Sequence, residues 1–320
     1  NESEKVKNFK QRLNELDFDS LTSKERVTYG MLGFALDSNS DSLIDKSWEF
    51  SAGVAGFEGF LIDYNQQMFI PDIESADMLL KRLELYQRFY SQISDVQKKG
   101  LENNRVATQR NLNRSIDQLE SYLKTSLDSD PLLLVNFAPT ITEKETSEWK
   151  EKAKEVIEKY VRPSVMNYLD QLRVEHLPKG RTDENPGIMW IDGGEEVYLR
   201  SLRKYTGHKD TTVKEVHEIG LSEIERLKKE FLEIGKEVFD SVEKPEDVLH
   251  KMQTEPSMRY ESKEQMLQLA EDTIERAYKP LGEWFTVFPK APCKVLPVPT
   301  QSEKHAPPAY YFPPLPDGSR

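Results

Sequence analysis

The first chemistry to test against the histidine and glutamate residues is zinc-dependent hydrolysis. In a His-Glu-x-x-His helix, two imidazoles one turn apart bind the metal and the glutamate serves as general base. The histidines of this chain are His176, His208, His217, His250 and His305. Only His217 is followed by a glutamate, and Leu221 stands where the second ligand is required. The pattern therefore predicts no metal site formed by this chain on its own.

His217 has two interpretations. It belongs to a segment whose apolar residues recur at intervals of three and four, which is typical of an amphipathic helix. On such a helix we expect a buried, hydrogen-bonded structural histidine. The alternative is that His217 is a direct metal ligand.

Nucleophilic catalysis has no support in the sequence. There is no Gly-x-Ser-x-Gly turn, and Cys293 is the only cysteine. A single cysteine excludes an intrachain disulfide and a cysteine-rich zinc site, so we interpret Cys293 as a buried structural thiol.

The last 32 residues contain nine of the 18 prolines, and they predict an extended segment. Within it, Tyr310 and Tyr311 form an aromatic run with Phe312, flanked by proline pairs. These rings either pack on the helical body or line a groove that binds substrate. Asp317-Gly318 is a turn signal with no element after it, so we expect further polypeptide beyond Arg320.

Charge and hydropathy narrow the class of protein. The net charge of −12 and the interleaving of basic with acidic residues disfavour nucleic-acid binding, and no apolar run is long enough to span a membrane. The first residue is Asn1, which is consistent with removal of a signal peptide. We therefore favour a secreted or extracellular protein and leave a cytoplasmic one open.

The elements that must position these residues are helices. Thr22-Ser-Lys-Glu25 and Thr212-Val-Lys-Glu215 have the form of capping boxes, each opening an amphipathic segment. Pro163 is expected to interrupt the helix that begins near Glu143. We predict a mainly α fold: a helical body over residues 1–288, built from long antiparallel helices, and an extended proline-rich segment over residues 289–320 with a small β element at the carboxyl end.

Several motifs resemble the family called "domain of unknown function 885". They are Gly193-Gly-Glu-Glu-Val-Tyr198, Thr211-Thr-Val-Lys-Glu-Val-His-Glu-Ile-Gly-Leu221, Phe288-Pro-Lys-Ala-Pro292, Ala309-Tyr-Tyr311 and Asp317-Gly-Ser-Arg320. Their order and spacing match the family over about the last third of the chain.

The resemblance implies a helical protein of about twice this length, similar in fold to zinc carboxypeptidases and dipeptidases. The family's His-Glu-x-x-Pro-Gly-His motif lies downstream of the Asp-Gly-Ser-Arg turn, so this chain contains none of the catalytic residues or zinc ligands. By the same resemblance, Tyr198, His217, Tyr310 and Tyr311 would line the substrate cleft. The remainder of the protein, present as a second chain after cleavage, would be the partner that supplies the zinc site.

Three functions remain open. The leading hypothesis is the scaffold and cleft-wall part of a zinc-metallopeptidase-like hydrolase acting on peptides. The first alternative is a catalytically inactive member that binds a peptide or small-molecule ligand, or serves in storage or structure. The second is a helical protein-interaction module.

Overall fold

A computed structural model of the chain describes residues 2–52, 68–288, 292–298 and 309–311. The chain divides into two compact units, Asn1–Asp210 and Thr211–Arg320, called unit 1 and unit 2 below. The sequence predicts a single helical body up to residue 288. The boundary at residue 288 stays a prediction. In the structure, the division between the two units falls after residue 210.

Unit 1 is built from helices with polar caps. Thr22 and Thr142 each accept a hydrogen bond from the backbone of the residue three positions on, and the glutamates there, Glu25 and Glu145, bond back to the cap. The α-helices of its described residues are α1 (Glu2–Asn14), α2 (Ser23–Asp45), α3 (Ile73–Glu84), α4 (Tyr86–Glu102), α5 (Gln109–Leu123), α6 (Glu143–Val156), α7 (Arg162–Gln171) and α8 (Gly194–Thr206).

The interruption that the sequence predicts at Pro163 takes the form of a change in helix type. A π-helical turn, Ile157–Val161, joins α6 to α7, and Pro163 lies in the first turn of α7. A proline is tolerated there because the first turn of a helix has no intrahelical partner for its N–H groups. A second π-helical turn, Leu172–His176, continues α7.

The small β element lies in unit 1 and not at the carboxyl end of the described residues. Strands β1 (Phe69–Ile70) and β2 (Asn136–Phe137) pair in parallel, with Phe69 opposite Asn136 and Ile70 opposite Phe137. At the carboxyl end, neither 292–298 nor 309–311 is a strand, and the rest of that segment lies outside the described residues. The mainly α fold class is confirmed.

The core of unit 1 is apolar and includes a fully buried carboxylate, Asp130, in an ion pair. Leu83, Leu112 and Leu119 are fully enclosed among α3, α5 and the α6–α7 segment. The Trp149 indole nitrogen donates a 2.8 Å hydrogen bond to the Ala76 carbonyl oxygen. The enclosed carboxylate of Asp130 accepts from the Arg162 guanidinium at 2.9 Å. Burial raises the pKa of Asp130, against the opposing effect of this arginine.

Unit 2 contains α9 (Val213–Val238), α10 (Pro245–Thr254), α11 (Lys263–Tyr278) and α12 (Leu281–Trp284). The capping box of Thr212 and Glu215 that the sequence predicts is present at the start of α9. Among its described residues, only Val242 and Val248 are buried apolar side chains. The elements of unit 2 are therefore well formed locally but enclose almost no core. None of the described helices, in either unit, combines the length and the apolar character needed to cross a membrane.

Candidate functional site

The Gly193-Gly194 motif fixes the start of α8, the helix that presents Tyr198. Gly193 has φ +70°, a left-handed conformation that glycine adopts without steric cost. A Cβ on Gly194 would overlap the carbonyl oxygen of Ile188, in the short 3₁₀ helix Ile188–Trp190. Both glycines are therefore required for the backbone to enter α8 so tightly, and the helix starts in one defined place.

Ion pairs and hydrogen bonds of charged side chains also fix the position of this helix. The Arg200 guanidinium pairs with the carboxylate of Asp45, which is almost fully buried at the end of α2. Arg105 donates to the Asp192 carbonyl oxygen at 2.7 Å, and its Nε lies 2.8 Å from the Glu49 carboxylate. These bonds join residues far apart in sequence and fix Asp192, before the Gly193-Gly194 turn, and Arg200, after it, to other parts of unit 1.

Sequence reasoning missed this ionic anchor. Asp45 and Arg200 are 155 positions apart, and each stands in a segment rich in other charged residues. Arg200 does follow Tyr198 by two positions, so the motif region carried a signal, but nothing in the sequence pointed to its partner.

Tyr198 itself is 43% exposed. Tyr205, seven positions later on α8, falls on the same side of the helix and is also exposed. The anchored helix therefore presents two tyrosines to solvent, which is suitable for contact with a ligand or another polypeptide.

His217 lies in the second turn of α9, and its side chain is exposed. The interpretation as a buried structural histidine is therefore wrong. The apolar side chains that suggested burial, such as Ile224 and Leu227, are themselves about half exposed. Periodicity identified the helix correctly but does not show whether the apolar face is covered.

The aromatic residues of the carboxyl-terminal segment are also exposed. Tyr310 is 47% and Tyr311 71% exposed, so packing of Tyr311 into the helical body is wrong. Their flanking segments, 299–308 and 312–320, lie outside the described residues. Cys293 is exposed and not a buried thiol, and its backbone N–H donates to the Tyr278 hydroxyl at 3.2 Å.

The four candidate residues divide between the units. Tyr198 belongs to unit 1, whereas His217, Tyr310 and Tyr311 belong to unit 2. Each is exposed, which a cleft-wall residue requires, but their assembly into one site stays a prediction.

The family model for "Bacterial protein of unknown function (DUF885)" matches residues 1–320, the whole chain. The chain belongs to the DUF885 family. This confirms the resemblance that the motifs indicated, including the helical front half, which carried no specific motif.

A solved structure, that of a predicted lipoprotein from Colwellia psychrerythraea, has the same fold, with a TM-score of 0.68 and 19% sequence identity. The match covers 78% of this chain and 44% of that protein. The DUF885 chain thus corresponds to less than half the length of the structure that it resembles. No curated protein matches the chain.

The described part of the DUF885 chain has no group of three or more His, Cys, Asp or Glu side chains that could hold a metal ion. Its one buried histidine within that part, His176, is in the core of unit 1 and accepts a 3.0 Å hydrogen bond from the Gln171 amide. Burial lowers the pKa of His176 to about 4, so it is neutral at pH 7. We interpret it as a structural histidine.

A hollow of about 190 Å³ lies in unit 1 beside Trp48, Phe89 and Ile93. Gln97 at its edge is already bonded, donating to the Ser51 carbonyl oxygen and accepting from the Tyr168 hydroxyl. The hollow is smaller than the usual 300–1,000 Å³ of small-molecule sites. It therefore gives little support to the ligand-binding alternative.

Proposed function

We propose that the chain is the scaffold and cleft-wall part of a zinc-metallopeptidase-like hydrolase acting on peptides. The observation that carries the proposal is the DUF885 match over all 320 residues together with the 44% coverage of a longer protein of the same fold. A chain with this fold that spans less than half of its structural relative is suited to be one wall of a larger cleft.

In this proposal the zinc ligands and the general base come from polypeptide outside the chain. Zinc, when bound there, would supply an activated water for attack on a peptide carbonyl. The present chain would bind and orient the peptide. Tyr198 would do so from a helix held rigidly by the Asp45–Arg200 pair, since a positioning residue is effective only when its own support is fixed.

Exposed aromatic rings suit peptide binding. Tyr310 and Tyr311 lie in backbone that is neither helix nor strand among the described residues, and their exposed rings can pack against the side chains of a bound peptide. The exposed imidazole of His217 would add a hydrogen-bonding group.

A secreted or extracellular location fits this role. It is supported by the likeness to a predicted lipoprotein, a class of proteins held at membranes by a lipid and not by a spanning helix. We propose secretion on this basis, and fractionation of the native organism's culture would test it.

The decisive experiment uses the complete gene product, together with any cleaved second chain. Metal analysis is expected to find about one zinc per complex, and a mixed peptide library is expected to be cleaved until a chelator removes the metal. Stoichiometric binding of an organic ligand without zinc or cleavage would instead favour the inactive, ligand-binding alternative.

The cleft-wall assignment has a separate test. Tyr311→Ala and Tyr198→Ala are expected to raise KM for peptides several-fold while leaving kcat within about twofold, because they remove binding and not chemistry. His217→Ala is a third variant of this kind. Tyr260→Ala is the control for the two tyrosine variants, and His250→Ala is the control for His217→Ala. Both control residues are exposed in unit 2 and have no assigned role. Equal effects of the variants and their controls would contradict the assignment.

A further inference from the structure

Helix α9 has an apolar face that the described residues leave largely uncovered. Residues at intervals of three and four form it over nearly seven turns, and on a 3.6-residue period they fall on one side. The members are Val213, Val216, Gly220, Ile224, Leu227, Phe231, Ile234 and Val238. Ile224, Leu227, Ile234 and Val238 are each at least half exposed, whereas Phe231 and Val216 are partly buried.

The polar side of the same helix is already satisfied. Arg226 pairs with Glu223 and Glu230, and Lys228 pairs with Glu225. Charged residues that bond to one another along a helix favour a solvated surface. The contrast between a self-paired polar side and an exposed apolar side indicates which side receives a partner.

Gly220 lies in the middle of this face. A Cβ built there would meet no atom within 4 Å, so nothing in this structure requires a glycine. Glycine in an exposed helix interior weakens the helix, and a common reason for its presence is close approach of another backbone. Gly235, near the end of the helix, shows a related use of glycine, since its missing side chain makes room for the side chain of Val248 in α10.

We propose that this face is the docking surface for a helix of the polypeptide that completes the family protein. The inference rests on the proposed function in one respect, that a further part of the protein exists. The occupant is argued from length. This chain covers 44% of the matched structure, so more than half of that protein lies outside the match, and the 26 residues of α9 give a contact surface about 39 Å long.

The charge of α9 disfavours another occupant, the membrane surface. The helix has seven glutamates against five lysines and arginines, a net charge of −2 without His217. Helices that lie on anionic lipid are rich in lysine and arginine on their polar side. A protein helix, whose apolar side chains can interlock around Gly220, fits better.

Site-specific photo-crosslinking tests the proposal in the complete gene product. A photoreactive residue is placed at Leu227, on the apolar face, and in a matched control at Lys229, on the opposite face. We expect Leu227 to crosslink to a peptide from outside residues 1–320, at least tenfold more than Lys229 does. A crosslink only within residues 1–320, a crosslink between two copies at Leu227, or equal yields at both positions would each overturn the proposal.

A second measurement does not depend on crosslinking chemistry. With the two parts expressed as separate chains, Leu227→Glu is expected to reduce their co-purification at least tenfold, and Lys229→Glu is not. Neither readout needs zinc or activity. A docked complex that holds no zinc and cleaves no peptide would therefore refute the proposed hydrolase and leave this inference standing, whereas zinc-dependent cleavage with an unaffected Leu227→Glu complex would do the reverse.

Discussion

Helices α5 and α9 have the same kind of sequence and opposite surroundings. Both are amphipathic, with apolar residues spaced by three and four, and both begin with a threonine cap. In α5, of unit 1, Leu112, Ile116 and Leu119 are buried, whereas in α9, of unit 2, Ile224 and Leu227 are about half exposed.

The difference extends to the units as wholes. The described residues of unit 1 surround one large apolar core, and those of unit 2 bury only Val242 and Val248 among their apolar side chains. Local sequence is enough to form a helix, but stability comes mainly from covering its apolar face. Unit 2 has formed its helices without obtaining that cover.

The largest effect should come from the Asp130–Arg162 ion pair in the core of unit 1. Arg162→Met leaves the enclosed Asp130 carboxylate without its counter-charge, which is expected to cost about 3–5 kcal/mol of unfolding free energy, measured by urea denaturation. Arg226→Met, which breaks exposed ion pairs on α9, should hardly change the free energy of unfolding. Similar losses in the two variants would mean that unit 2 is as tightly organised as unit 1.

A matched leucine pair sharpens the same comparison. Leu119→Ala, at a position with 0% exposure, should cost about 2–5 kcal/mol because it leaves a cavity. Leu227→Ala, at a position with 51% exposure, should cost under about 1 kcal/mol in this chain alone. A loss at Leu227 as large as that at Leu119 would show that the α9 face is already covered in the isolated chain.

The pH dependence of unit 1 should contain a contribution from His176. Its folded-state pKa is lowered from 6.5 to about 4 by burial, so the unfolded chain takes up the proton first as the pH falls. This contribution to stability is fully present above pH 6.5 and is lost between pH 6.5 and 4, by up to about 3 kcal/mol.

His176→Leu serves as the comparison, because the carboxylates that also titrate in acid are unchanged in it. The wild type should lose more stability than this variant between pH 6.5 and 4. If the free energy of unfolding fell equally with pH in the two proteins, the assignment of the buried imidazole as neutral would be contradicted.

The smallest effect should be a gain. Gly220→Ala is expected to stabilise the isolated chain by about 0.5–1 kcal/mol, since a methyl group there meets nothing and alanine favours helix. Gly235→Ala should destabilise it, because the added Cβ would overlap Val248. In the complete gene product Gly220→Ala should lose its benefit, and a gain of the same size there would argue against a closely packed partner helix.

Sequence patterns predicted the local structure well and its surroundings poorly. The caps at Thr22 and Thr212 were found because a capping box is formed by residues three apart. The Asp45–Arg200 anchor and the β1–β2 pairing were not, since their partners are distant in sequence and no short pattern marks them. His217 and Cys293 were wrongly expected to be buried for a related reason: neighbours along the chain do not reveal what lies across from a side chain.

By itself, the sequence determined the helices, their caps, the glycines at the start of α8 and the family to which the chain belongs. Those features depend on residues within a few turns of each other, or on the order of motifs along the chain. Only the tertiary structure decided which apolar faces are covered, which charges are paired across the fold and which tyrosines are exposed. Burial is a relation between segments distant in sequence, so helices with the same pattern can end in a core, like α5, or on an open surface, like α9.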